Sequence, residues 1–262
     1  MNASKYAAAA MAAAFFLLNS AGVTAQDGDP KITWSSGLEY SSGTYGSDVD
    51  IEDLYLPVTL GVNFERVSLD LTVPYLSVRA PEGTIVTGSN GDPLPGSGQT
   101  IDEAGLGDVI AGITIYDVVY SKDLGLALDL TGRVKFGTAD ADKGLGTGEP
   151  DFTLRADLYK YLEHFTLLGS LGYKFRGDPP GLDLDDVAIG SLGAIYHANE
   201  ASCFGLILDY RESAIVGNDD VSELSAFIGH EFSDTWSVQF YVFTGFTDSS
   251  SDWGGGFLVT AS

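Results

Sequence analysis

The sequence predicts an all-β protein, a transmembrane antiparallel up-and-down barrel of about twelve strands with short periplasmic turns and long extracellular loops. Three observations predict it. Apolar and polar residues alternate with period two over stretches of roughly ten residues. The connections between those stretches are alternately short and long. The face opposite the apolar one carries charges of both signs, which the dry core of a soluble sandwich would not tolerate.

Composition narrows the alternatives. Glycine supplies 33 of 262 residues, and charged residues are 19 %, below the usual quarter. A net charge of −24 excludes a nucleic-acid backbone as partner. The one cysteine, Cys203, excludes a disulfide framework and a thiolate metal centre. After the N-terminus no apolar run reaches the ~18 residues of a helical span.

Residues 1–25 read as a signal peptide. Lys5 is the only charge before Asp27, an Ala-, Phe- and Leu-rich core runs from Tyr6 to Leu18, and Val23-Thr24-Ala25 offers small residues for cleavage before Gln26. The mature domain, 26–262, is then exported and read as the barrel.

Its strands are expected near 31–40, 53–64, 66–79, 107–118, 124–137, 151–160, 164–176, 187–198, 202–212, 221–232, 235–247 and 252–261. In the second, Leu54, Leu56, Val58 and Leu60 alternate with Tyr55, Pro57, Thr59 and Gly61. The third repeats this with Val67, Leu69, Leu71 and Val73 against Ser68, Asp70 and Thr72. In the fifth, Leu124, Leu126, Leu128 and Leu130 precede a polar face of Asp129, Thr131, Arg133 and Lys135. The seventh runs from Phe165 to Phe175, and the eleventh sets Trp236, Val238, Phe240 and Val242 against Ser237, Gln239 and Tyr241. Serine and glycine blur the alternation of the first and eighth. Ala80 to Leu106, rich in Gly, Pro and Ser, is expected to be the longest outer loop.

These stretches are long for sandwich strands, which usually have about 5–6 residues. Aromatic residues fall at their ends, where interfacial girdles belong: Trp34, Tyr40, Phe64, Tyr75, Phe136, Tyr159, Tyr161, Phe175, Phe232 and Trp236.

Little in the sequence points to catalysis. His164, His197 and His230 fall near expected periplasmic ends, away from the outer rim where a barrel hydrolase needs its base. No nucleophile elbow or phosphate-binding loop occurs, and Gly144, Gly146 and Gly148 join two strands with no helix following. The protein is therefore expected to be no enzyme, with no cofactor and no metal. Asp48, Asp50, Glu52 and Asp53 read as a solvated acidic loop, as do Asp183, Asp185 and Asp186.

The lumen is the candidate site. Inward parity holds Arg133, Lys135, Arg155, Lys174, Arg176 and Arg211, six of the thirteen basic residues. The same parity holds Asp70, Asp108, Asp129, Asp157, Asp209, Glu223 and Glu231. Such a set either pairs across strands to fill a narrow barrel or forms a polarised constriction that sorts solutes by charge and size. Tyr116, Phe227, Tyr241 and Phe243 share that parity and offer an aromatic track. Pro57 and Pro74 fall mid-strand on adjacent strands, each removing a ladder donor; they mark a bulge or a lateral seam.

Gly105-Leu106-Gly107-Asp108-Val109 opens the fourth strand. Arg133 to Asp140 then leads into Gly144-Leu145-Gly146-Thr147-Gly148-Glu149-Pro150-Asp151-Phe152. Together these resemble the outer-membrane transporter family of the MetA pathway of phenol degradation, over roughly residues 50–262; Phe136-Gly137 stands where that family has Leu-Pro. The resemblance implies a Gram-negative outer-membrane barrel admitting small, often hydrophobic or aromatic, compounds by passive diffusion. Its partners would be outer-membrane lipids and lipopolysaccharide, the solute, and the barrel-assembly machinery. A non-conducting structural or adhesive surface barrel is the rival expectation.

Overall fold

The computed structural model describes residues 29–86 and 93–262; the expected signal peptide lies outside the described residues. The strands are β1 (Lys31–Gly43), β2 (Ile51–Asn63), β3 (Val67–Pro81), β4 (Thr100–Leu106), β5 (Ile110–Ser121), β6 (Leu126–Lys135) and β7 (Asp151–Tyr161). They continue as β8 (Phe165–Phe175), β9 (Val187–His197), β10 (Ser202–Arg211), β11 (Val221–Glu231), β12 (Trp236–Gly245) and β13 (Trp253–Ala261). Neighbours pair antiparallel, and β13 returns to β1 with Ser35 opposite Thr260 and Tyr40 opposite Gly255. The barrel is closed by the β1–β13 and β2–β3 pairings, and only β4, which pairs with β3 alone, keeps an unpaired edge.

Thirteen strands make twelve staves, because β4 and β5 share one position. The outer half of β3 pairs with β4 (Tyr75 opposite Leu106) and its inner half with β5 (Thr72 opposite Ile110). This corrects the expectation that 80–106 is all loop. β3 runs past the rim to Pro81 and offers a free ladder, which Thr100–Leu106 joins although it lacks an alternating apolar face. The break between β4 and β5 falls at Gly107, whose N–H donates to the Pro74 carbonyl (2.9 Å) and whose missing Cβ would stand 2.9 Å from Leu76 and 3.0 Å from Pro74. β5 carries a second irregularity between Ile115 and Val119: Asp117 adopts φ 52° and its N–H donates to Asp129 (2.8 Å).

Alternation produces two opposite surfaces. Leu54, Leu56, Val58 and Leu60 on β2 and Leu69, Leu71 and Val73 on β3 point outward, and Leu154, Leu171, Leu206 and Val242 continue the apolar belt. Inward residues include hydroxyl pairs such as Thr59–Thr72 (2.8 Å) and Thr114–Thr131 (3.2 Å). Trp34 and Trp236 stand exposed at the short-turn end, and Tyr40 packs on Trp253 at the other (centroids 5.3 Å apart). Tyr159 and Tyr161 do not join the girdle. They share the parity of Arg155 and Asp157, turn inward, and stack on each other at 6.2 Å.

The periplasmic turns are 64–66, 122–125, 162–164, 198–201 and 232–235; the outer connections are longer. An apolar cluster of Ala127, Tyr159, Leu168, Ile195, Cys203, Ile207 and Phe227 lies on the inward face of β6–β11 in the periplasmic half of the barrel. The outer loops form two further clusters, one around Tyr45, Ile51, Tyr55, Leu76, Val86 and Leu145, the other around Leu184, Val187 and Ala214. Ile85 and Leu94 bridge each other, with neighbouring Val86 in the first cluster and Leu94 against the second. The described part of the β3–β4 connection thus spans the outer mouth.

Candidate solute pathway in the barrel lumen

Between the apolar cluster of β6–β11 and the loop roof lies a charged belt. Arg133 and Lys135 on β6, Arg155 on β7 and Lys174 on β8 point inward, with Arg176 just beyond β8 and Arg211 at the end of β10. Burying such charges is tolerable only where each meets opposite charge or hydrogen bonds. Arg155 pairs with Asp157 at 2.9 Å, and Arg133 faces Asp70, Asp157 and Arg155. Lys135 and Lys174 share the Asp151 carboxylate, each at 3.4 Å.

Acidic groups continue the belt round the barrel, beginning on β10, the strand that also carries Arg211. Asp209 on β10 sits opposite Glu223 on β11 in the strand register, and accepts a hydrogen bond from Ser191 (2.7 Å). Glu223 accepts from the Ser251 amide (3.1 Å) and hydroxyl. On β1, Glu39 accepts from the Tyr241 hydroxyl (2.5 Å), and Asp53 on β2 accepts from Ser41.

The belt encloses a cavity of about 100 Å³, lined by Glu39, Arg155, Lys174, Asp209, Arg211 and Glu223, with Ser170, Ser191, Ser225, Tyr241 and Phe243 among the uncharged residues. Tyr241 and Phe243 stack with centroids 6.4 Å apart, and β13 is glycine-rich where they lie. A Cβ on Gly254 would fall 2.2 Å from the Phe243 ring, and one on Gly256 would fall 2.8 Å from the Tyr241 hydroxyl.

The outer wall of the belt is fastened by Asp108. One carboxylate oxygen accepts from Lys135 (3.0 Å), the other from the Thr138 and Ala139 amides (2.9 Å each). Lys135 also donates to the Thr147 hydroxyl (2.9 Å), and Gly146 lies so close that a Cβ would reach Asp108 at 2.8 Å. Leu145 is thereby held in the apolar cluster, and the Gly144 carbonyl accepts from the Val86 amide (2.7 Å), joining the two longest outer loops.

Of the expected aromatic track, Phe227 and Tyr241 face each other across the β11–β12 register and Phe243 continues the line; Tyr116 stands apart on β5, near Asp70 and Asp129. Asp129 lies at the β5 irregularity rather than on the cavity, and Glu231 at the exposed end of β11 is outside the lumen. Asp53, expected in a surface loop, is on the inward face of β2 because that strand begins at Ile51. Glu39 and Asp151 were not foreseen. Counting every second residue from Arg155 reaches Asp151, and the same count from Ser35 reaches Glu39, but serine and glycine hide the alternation of β1.

Pro57 and Pro74 both point inward and oppose each other across β2 and β3. The β1–β2 ladder passes from Ser36–Val58 to Glu39–Tyr55 without pairing between, and the β3 ladder changes partner at Pro74. The three histidines occupy periplasmic ends: His197 bonds Thr166 and His230 bonds Ser202 (2.9 Å each), and His164 is exposed.

A family model described as "Putative MetA-pathway of phenol degradation" matches residues 21–261. The chain belongs to that family. Comparison with curated proteins finds no match. Among solved structures, this MetA-pathway family member is similar to the COG4313 outer membrane channel from Pseudomonas putida F1, at 13 % identity and a TM-score of 0.73, covering 90 % of this chain and 96 % of that one. It is also similar to the NanC porin (10 % identity, TM-score 0.56, 88 % and 100 % covered) and the KdgM porin (7 %, 0.53, 88 % and 98 %). The fold is that of an outer-membrane barrel.

Proposed function

We propose that the protein is a passive outer-membrane channel for small molecules, with the charged belt as its selectivity region and no catalytic role. The observation that carries this reading is the cavity at mid-lumen, bounded by basic and acidic groups and buried under loops rather than filled by side chains. A structural or adhesive barrel has no use for such a space. Lipids and lipopolysaccharide surround the belt of outward leucines, and the barrel-assembly machinery inserts the chain. The mature protein refolded into a planar bilayer should give discrete single-channel currents in KCl; a folded barrel that passes no current would return the reading to a surface protein.

Hydrophobic and aromatic compounds form a second solute class, favoured by the interrupted ladders at Pro57 and Pro74. There the regular backbone ladder is interrupted on both flanks of one hairpin, the Pro57 and Pro74 carbonyls accepting instead from the Ser36 hydroxyl (2.8 Å) and the Gly107 amide (2.9 Å), and an apolar solute leaving sideways would enter the lipid from mid-lumen.

A further inference from the structure

The charges around the mid-lumen cavity are satisfied within the chain. Arg155 pairs with Asp157, and Lys174 with Asp151. Asp209 accepts from Ser191 and lies within electrostatic reach of Arg155 and of Arg211, two residues further along β10. Glu223 accepts from the Ser251 amide and Glu39 from the Tyr241 hydroxyl. A charged solute entering this space would compete with partners already in place.

The hydroxyls of the lining are in the opposite condition. Thr153 on β7, Ser170 on β8 and Ser225 on β11 share the inward parity of Arg155, Lys174 and Glu223, and each is only 5–6 % exposed. All three line the cavity, and none of their hydroxyls has a hydrogen-bond partner among the described residues. Elsewhere in the lumen inward hydroxyls pair with one another, as Thr59 does with Thr72 and Thr114 with Thr131. Buried hydroxyls are ordinarily paired, so these three are left for what occupies the cavity.

The rest of the uncharged lining is largely apolar: the stacked rings of Tyr241 and Phe243, with Ile189 and Val221. Ser225 stands opposite Phe243 in the β11–β12 register, so a hydroxyl and a ring lie side by side. The cavity of about 100 Å³ has room for about three waters at ~30 Å³ each, and hence for a solute of about three carbons. A solute with one hydroxyl would leave two of the three buried groups unpaired. One with several takes over the hydrogen bonds of the waters it displaces.

We propose that the cavity binds a small neutral polyol, its hydroxyls paired with Thr153, Ser170 and Ser225 and its carbon chain against Tyr241 and Phe243. The proposal rests on the channel reading, since the solute must reach the lumen, and it names the chemical class that the lumen recognises.

Three probes of three carbons separate the contributions: glycerol, 1,3-propanediol, which lacks one hydroxyl, and glycerate, which carries a charge. Saturation-transfer NMR titration of the detergent-solubilised protein in glycerol-free buffer should give glycerol about threefold to tenfold tighter binding than 1,3-propanediol, the scale of one neutral hydrogen bond. Glycerate should bind no tighter than glycerol. Ser170→Ala and Ser225→Ala, which each remove a single oxygen, should each weaken glycerol by a similar factor; should one fail to fold, as judged by heat-modifiable migration, the other carries the test. Equal binding of glycerol and the diol, tighter binding of glycerate, or glycerol binding that ignores the serine variants overturns the proposal and leaves the three hydroxyls to water. Bilayer conductance on the same preparation separates the two ideas: glycerol preference without current sinks only the channel, and current without glycerol preference sinks only the polyol.

Discussion

Asp108 is a residue whose placement decides the course of three segments. It caps the break between β4 and β5, neutralises Lys135, and accepts the amides that begin the β6–β7 connection. Asp108→Ala removes all of these at once; because Lys135 retains Asp151, the loss should be about 1–3 kcal/mol, below the full cost of stranding a buried charge. Asp108→Asn keeps an acceptor for the amides and should lose less. Limited proteolysis of the folded barrel should cut within 137–150 in the Ala variant first, in the Asn variant later, and in the wild type last. Identical cleavage of all three would remove Asp108 from this role. The glycines of β13 act at the same scale, by absence. Gly254→Val should push the Phe243 ring out of its bed and into the cavity, lowering single-channel conductance, whereas Gly132→Ala, whose Cβ meets only Ile113 and Leu154 at 3.6 and 3.7 Å, should leave it unchanged.

At the scale of the element, the paired prolines make the sharpest case. If the broken ladders flanking the β2–β3 hairpin are an exit for apolar solutes, restoring the donors with Pro57→Val and Pro74→Val should slow uptake of a monoaromatic hydrocarbon into proteoliposomes while conductance to KCl is retained. Unchanged hydrocarbon uptake would reduce both prolines to devices of curvature. Both positions were legible in the sequence, as were the staves themselves, since a strand between lipid and water must alternate. The residues that escaped did so for physical reasons. β4 pairs outside the membrane, where no lipid enforces alternation, so Thr100–Leu106 carries no pattern. Glu39 lies on a strand whose inward side chains are mostly Ser and Gly, too small to mark a face. Tyr159 looks like a girdle residue by its place near a strand end, but parity outweighs position and turns it inward.

The whole molecule combines a strongly acidic chain, 37 acidic residues against 13 basic, with a lumen in which the two signs are far closer to balance. Its charge therefore acts in two places with different ranges. Acids in the loops and turns set a field at the channel mouths that draws cations in and is screened by salt, over about 10 Å at 0.1 M and 3 Å at 1 M. The lumen charges stand within a few ångströms of a passing ion and are screened much less. A salt gradient should accordingly give a cation-selective reversal potential at 0.1 M KCl that falls toward zero at 1 M, where the mouths no longer contribute and the lumen charges offset each other. Replacing Lys174 by Met and Arg211 by Gln removes two of the three basic groups lining the cavity, leaving Arg155 against Glu39, Asp209 and Glu223, so cation selectivity should then persist at 1 M. A double variant whose selectivity still vanishes at high salt would mean that ions do not pass through the cavity, and that the conducting route lies elsewhere in the barrel.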